Sequence, residues 1–329
     1  MIFTLTNGLH DASSVVATLI SCRAATPKQA VLLASVFGLL GAAFSGNLVA
    51  DTVTKIIKIA PGTELMYILT ASISGAVVWN IVTWRIGLPS SSTHALIGGL
   101  IGATWISNGS DYILWGVSEF VSGNHQLEGI VKVIAALIIS PLLGFVIAFI
   151  IQKISSLLLR NTRFKINEYI KKVQWIIAAA LAFSHGSNDS QKITGLISLA
   201  LISAGAVNAY SAQPFIKLTV GVVMFIGTAF GGWKIMKTLG RGIYDLRPIH
   251  SLNSMLSSGL SIILATFTGA PVSTTHVVVG GIMGVGAADE YRMVNWGIGK
   301  QIITAWFITI PCSAVSAAII YFIINWRFL

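Results

Sequence analysis

Pro89-Ser90-Ser91-Ser92-Thr93-His94 runs on to Gly98-Gly99 and Gly102, and Pro271-Val272-Ser273-Thr274-Thr275-His276 runs on to Gly280-Gly281 and Gly284. Both stretches fit P-x-S-[ST]-T-H-x3-GG-x2-G, and they lie 182 residues apart. Proline stops the preceding segment and lacks a donor. The Ser and Thr that follow fall at the start of a helix, where backbone N–H groups lack intrahelical partners and the helix dipole leaves partial positive charge. Hydroxyls and free amides together suit a tetrahedral oxyanion without a full positive charge. The competing reading is N-capping followed by close helix packing over the glycines. Recurrence in two copies favours the anion site.

Two further pairs repeat in the same order. Gly8-Leu9-His10-Asp11 matches Gly186-Ser187-Asn188-Asp189 at an offset of 178, and Gly41, Phe44 and Gly46 match Gly227, Phe230 and Gly232. Motifs in one order at similar offsets indicate duplication. Around them lie ten apolar segments, at 1–21, 29–50, 65–84, 91–107, 130–152, 173–203, 215–233, 251–269, 272–287 and 301–325. Of the 329 residues 54% are hydrophobic and 10% charged, against roughly 25% charged in soluble proteins. A bilayer core takes about 20 apolar residues per helix. The expected fold is therefore an all-α polytopic membrane protein with about ten transmembrane or re-entrant segments. The short segments 91–107 and 272–287 are the candidates for re-entrant or discontinuous backbone. Five segments per copy force the copies into opposite orientation, giving two inverted-topology repeats with a site at their interface near the midplane. Residues 1–160 form the first repeat, 161–172 a basic linker and 173–329 the second repeat.

Net charge is +10, which here reads as topology and not as a nucleic-acid surface, since the basic residues lie mostly between apolar segments. The 153–172 linker carries Lys153, Arg160, Arg163, Lys165, Lys171 and Lys172, and the 234–247 loop carries Lys234, Lys237, Arg241 and Arg247. The 108–129 loop has Asp111, Glu119 and Glu128 and no Lys or Arg. Basic loops belong in the cytoplasm. Threading the segments accordingly puts 15 of the 21 Lys and Arg residues inside and both termini outside, in a cell inner membrane. No cleavable signal peptide is expected, because Arg23 is the first basic residue. Cys22 and Cys312 are expected to be unpaired, and no Cys/His spacing suggests zinc.

Asp11 and Asp189 sit inside apolar segments, where charge is costly and usually functional. Carboxylates beside an anion site would repel the anion, so a cation or proton between them is the natural role; the alternative is a helix cap. Asn7, Asn188 and His10 stand near them, as a source of cation-binding oxygens and as a proton-relay candidate. Successive helical side chains point about 100° apart, so only one of Gln191 and Lys192 is expected to line a cavity. Gln191 suits an oxyanion; Lys192 offsets anion charge, pairs with Asp189 or Asp11, or snorkels to the interface. His94 and His276 follow the Thr of each copy and either shuttle protons or pack. No role is assigned to His125 or His250. Trp79, Trp84, Trp105, Trp296 and Trp326 read as interfacial anchors.

No enzyme constellation is present: there is no P-loop, no G-x-S-x-G and no H-E-x-x-H. Without a nucleotide fold or other cofactor, transport must be driven by an ion gradient. Four stretches, NGLHDASSVVATLISCRA (7–24), GLPSSSTHALIGGLIGA (87–103), HGSNDSQKITGLISLAL (185–201) and GAPVSTTHVVVGGIMGVG (269–286), resemble the inorganic phosphate transporter (PiT) family. That resemblance spans nearly the whole chain. It implies a symporter holding phosphate between inverted repeats, commonly as a homodimer in membrane lipid. It implies phosphate contacts from Ser91, Ser92, Thr93, Ser273, Thr274, Thr275 and Gln191, with Asp11, Asn188 and Asp189 serving the coupling cation or the site's polar frame. The family usually has Asn where this chain has Ser14, and many members have Asn where it has His10, which shifts the expectation from sodium towards protons or a metal–phosphate complex moving with protons. A sulfate permease is the close rival and an anion channel the distant one. Phosphate, unlike sulfate, can keep a proton to donate to Asp11 or Asp189.

Overall fold

A computed structural model describes residues 1–121, 127–206 and 213–326; His125 lies outside them. Among the described residues the regular structure is helical, with one isolated bridge between Ile57 and Ile113. The first half runs α1 (Ile2–Ser21), α2 (Pro27–Ala43), α3 (Leu48–Thr54), α4 (Thr63–Ile86), α5 (Ser92–Asn108), α6 (Val117–Val121) and α7 (Gly129–Leu158). The second runs α8 (Ile166–Ser203), α9 (Gln213–Phe230), α10 (Trp233–Lys237), α11 (Pro248–Phe267), α12 (Thr274–Glu290) and α13 (Trp296–Trp326).

Each expected apolar segment is helical over most of its length. Four helices, α4, α7, α9 and α13, are long and apolar enough by themselves to cross a membrane, and α2 with α3 makes a fifth if the 77° bend between them lies within one span. The remaining segments fall short for physical reasons. α5 and α12 have 17 residues each, about 26 Å at 1.5 Å per residue, less than a ~30 Å hydrocarbon core. α1 and α8 carry the buried polar motifs.

Local sequence sets the helix ends. Pro27 opens α2 behind a Thr26–Gln29 capping box. α4 stops at Gly87 (φ 74°) and the backbone turns left-handed again at Gly269 (φ 66°) after α11, 182 residues on; only glycine takes this conformation freely. Each turn is followed by extended chain and then by a helix capped by its own serine. Ser91 Oγ accepts from His94 N–H (3.1 Å) and Ser273 Oγ from His276 N–H (3.4 Å). α2 ends beside Phe44 and α9 at Phe230, and each gives way to a short helix. The Gly/Phe pairing thus marks equivalent breaks.

Packing follows an exchange rule. α5 lies on α13 and α12 on α7; α4 lies on α13 and α11 on α7; α2 lies on α8 and α9 on α1. Each half is therefore completed by the last helix of the other. The glycines of the opening motif make this possible. A methyl group at Gly98 would strike the Ile310 carbonyl oxygen on α13, and one at Gly280 the Pro141 carbonyl oxygen on α7.

One boundary differs from expectation. α8 has 38 residues, about 57 Å, and starts at Ile166, so the last part of the basic linker is its first two turns. Hydropathy marks where chain can leave a bilayer core, whereas backbone hydrogen bonding continues wherever water or protein solvates the side chains.

Candidate anion site

The starts of α5 and α12 meet at Asp11, in the middle of α1. Ser92 Oγ donates to Asp11 Oδ2 (2.5 Å) and Thr275 Oγ1 donates to Asp11 Oδ1 (3.0 Å). One carboxylate therefore joins the two hydroxyl clusters, and all three residues are buried. The junction has a second tie: Thr93 Oγ1 donates to the Val272 carbonyl (3.0 Å). His94 and His276, equivalent positions of the two copies, touch with ring centroids 4.5 Å apart. His276 also stacks on Trp306 at 3.7 Å. These contacts between equivalent residues put the junction where the two halves exchange.

Each helix start retains donors. His94 and His276 amides are capped by serine, and Ala95 and Val277 begin the intrahelical ladder. The amides of Ser92, Thr93, Thr274 and Thr275 have no partner among the described residues. Four unspent N–H groups and four hydroxyls gather at two dipole-positive helix ends, a buried, donor-rich cluster.

Asp189, Asp11's equivalent, has a different environment. Lys192 Nζ donates to Asp189 Oδ1 (2.6 Å), Asn7 Nδ2 donates to Asp189 Oδ2 (3.2 Å), and His185 Nδ1 lies 3.5 Å from Oδ2. Lys192 also donates to Thr93 Oγ1 and the Val272 carbonyl, both at 2.7 Å. His185 Nδ1 lies 2.9 Å from Thr274 Oγ1. Among the described residues the two aspartates share no hydrogen-bond partner: Lys192 serves Asp189 and hydroxyls serve Asp11.

His10 and Asn188 do equivalent work. His10 Nδ1 is 3.3 Å from Asp11 Oδ1, and Nε2 is within 3.3 Å of Ser90 Oγ and 3.4 Å of Thr83 Oγ1. Asn188 donates to Thr266 Oγ1 (2.9 Å) and the Ala270 carbonyl (3.2 Å) and accepts from Val272 N–H (3.3 Å). Both tie the Asp helices to the chain entering α5 or α12. Asn7 Oδ1 is buried without a partner among the described residues. Gln191 lies elsewhere: its Oε1 accepts from Val49 N–H at the start of α3 (3.0 Å), and its Nε2 donates to the Ser187 carbonyl (2.9 Å). As the helical angle requires, Lys192 and not Gln191 reaches the junction.

Thr83, Thr266, Trp306 and the Val272 backbone were given no role by the sequence. The repeat could have flagged two of them. Thr83 and Thr266 precede their motifs at nearly equal distances, and Val272 stands where Ser90 stands in the first copy. A backbone carbonyl carries no side-chain signature, so the Val272 contact was invisible.

Among the described residues, a helical bundle with several apolar spans and buried donors where two helix starts meet fits a membrane transport protein. The chain belongs to the phosphate transporter family, whose sequence profile matches residues 7–166 and 159–317. It is 39% identical over 331 residues to the probable low-affinity inorganic phosphate transporter of Bacillus subtilis (strain 168), covering 99% of this chain and 95% of that one. The protein of the same description in Rhizobium meliloti (strain 1021) is 38% identical, covering 98% and 93%. A solved structure described as the sodium-dependent phosphate transporter superposes with a TM-score of 0.78 at 26% identity, covering 98% of this chain and 96% of that one.

Proposed function

We propose that this protein imports inorganic phosphate, free or as a metal complex, by symport with protons or sodium, alternating access around the junction of α1, α5, α8 and α12. Its two copies have inverted topology, with both termini extracytoplasmic in an inner membrane. Phosphate is held by Ser92, Thr93, Thr274 and Thr275 and the amides of the same helix starts, with Ser91 and Ser273 shaping those starts as caps. Gln191 acts through α3, whose first turn it holds.

The observation that carries this reading is the Asp11 carboxylate taking hydroxyl donors from both clusters. An ionised Asp11 competes with a phosphate oxyanion for those protons and repels it. A proton on Asp11 removes the charge, releases one acceptor site and turns the group into a donor. A cation on the carboxylate also removes the repulsion. Cation and phosphate then bind with reciprocal coupling. Asp189, Asn7, Asn188 and His10 form the polar frame that keeps Asp11 and the helix starts in register.

Uptake of labelled phosphate and sulfate into proteoliposomes tests this, with proton or sodium gradients imposed separately. Phosphate accumulation against its gradient, driven by one of them, is expected. Preferred carriage of sulfate, or downhill flux indifferent to both gradients, contradicts it.

A further inference from the structure

Lys192 is a full charge with a buried side chain, 4% exposed, and it is asymmetric: the equivalent position in the first copy is Ser14, whose hydroxyl donates to its own helix at Asp11 O (2.7 Å). The ammonium has three protons and uses each on an oxygen: carboxylate, hydroxyl and backbone carbonyl, at 2.6–2.7 Å. Those oxygens come from α8, from the first turn of α5 and from the chain entering α12. A carboxylate, a hydroxyl and a carbonyl converging from three elements form the donor set of a hard monovalent cation. Asn7, bound to the same carboxylate, leaves its Oδ1 buried without a partner among the described residues.

We propose that Lys192 is a built-in counter-cation, its ammonium filling the place that an alkali ion would take between Asp189, Thr93 and Val272. The tethered charge binds α5 and the chain entering α12 at once, so the second copy needs no dissolved cation to draw α5 and α12 together. Sodium then has no work to do at Asp189, and proton traffic at Asp11 is left to drive accumulation. This rests on the transport reading only in its uptake arm.

The test compares NaCl with choline chloride at equal ionic strength. Wild-type phosphate uptake into proteoliposomes under a proton gradient is expected to differ by less than about twofold between the two. Lys192→Ser, which restores the residue of the first copy, leaves the oxygens for a dissolved ion. Its thermal unfolding in detergent is expected to rise with NaCl and not with choline chloride, and its phosphate uptake to gain about tenfold from sodium, the scale of one charge-assisted contact. Wild-type uptake that falls tenfold without sodium overturns the proposal, as does a folded Lys192→Ser protein whose unfolding temperature ignores sodium. Where that variant does not fold in either salt, the wild-type comparison decides. If phosphate is not carried at all, the transport reading fails while the sodium response of Lys192→Ser still tests this one.

Discussion

At the scale of single residues, binding at the proposed site depends on which acceptor holds the hydroxyl protons at the junction. In the proposed site, Ser92→Ala and Thr275→Ala each remove one hydroxyl donor that phosphate would use. A hydrogen bond to a charged group contributes ~1.5–3 kcal/mol, so each is expected to raise the phosphate KM by about 10–100-fold, measured as initial uptake rates. Asp11→Asn mimics the protonated acid permanently. Phosphate exchange across the membrane is expected to persist, while net uptake driven by a proton gradient is lost. Asp189→Asn strips Lys192 of the carboxylate it pairs with at 2.6 Å; breaking a buried pair costs roughly 3–5 kcal/mol. That variant is expected in the membrane at reduced abundance and without coupled uptake, read by immunoblot and transport. Much of this was legible beforehand: Asp11, Asp189 and the Ser/Thr runs stood out because charge and hydroxyls are rare in apolar stretches. The partners were not. Which donor meets which carboxylate depends on helix crossings that no spacing encodes, and Lys192's preference for the junction over the interface is visible only once α5 and α12 are in place.

At the scale of elements, glycine patterning decides how near the helices can come. Gly98 rests on the Ile310 backbone and Gly280 on the Pro141 backbone. Neither contact offers a flexible side-chain end to move aside. Gly98→Val and Gly280→Val are both expected to destabilise the protein, by about 1–3 kcal/mol for overpacking, read as a lower unfolding temperature in detergent. Equal effects are expected, because the sites are equivalent; a shift for one without the other contradicts the repeat. The breaks after α2 and α9 and the Gly87 and Gly269 turns were foreseeable from Gly placement. The continuous α8 was less so, since its polar first turns read as linker by composition yet propagate as helix.

For the whole molecule, the exchange of closing helices between halves makes the junction a property of neither copy alone. Duplication was legible from motif order and offset; the reciprocal packing was not, because duplicated halves can sit side by side or interlock, and sequence distances are the same in both. The proposed topology predicts that, in a chain lacking Cys22 and Cys312, a cysteine at Thr162 reacts with an impermeant thiol reagent only from the cytoplasmic side and one at Asp111 only from outside. The central claim is that both helix starts hold a single phosphate. Calorimetric titration of the purified protein with phosphate tests it most directly, comparing wild type with Ser92→Ala and Thr275→Ala. One phosphate per chain, weakened by either substitution, is the predicted result. Two independent sites, or a site untouched by one of the substitutions, would contradict it.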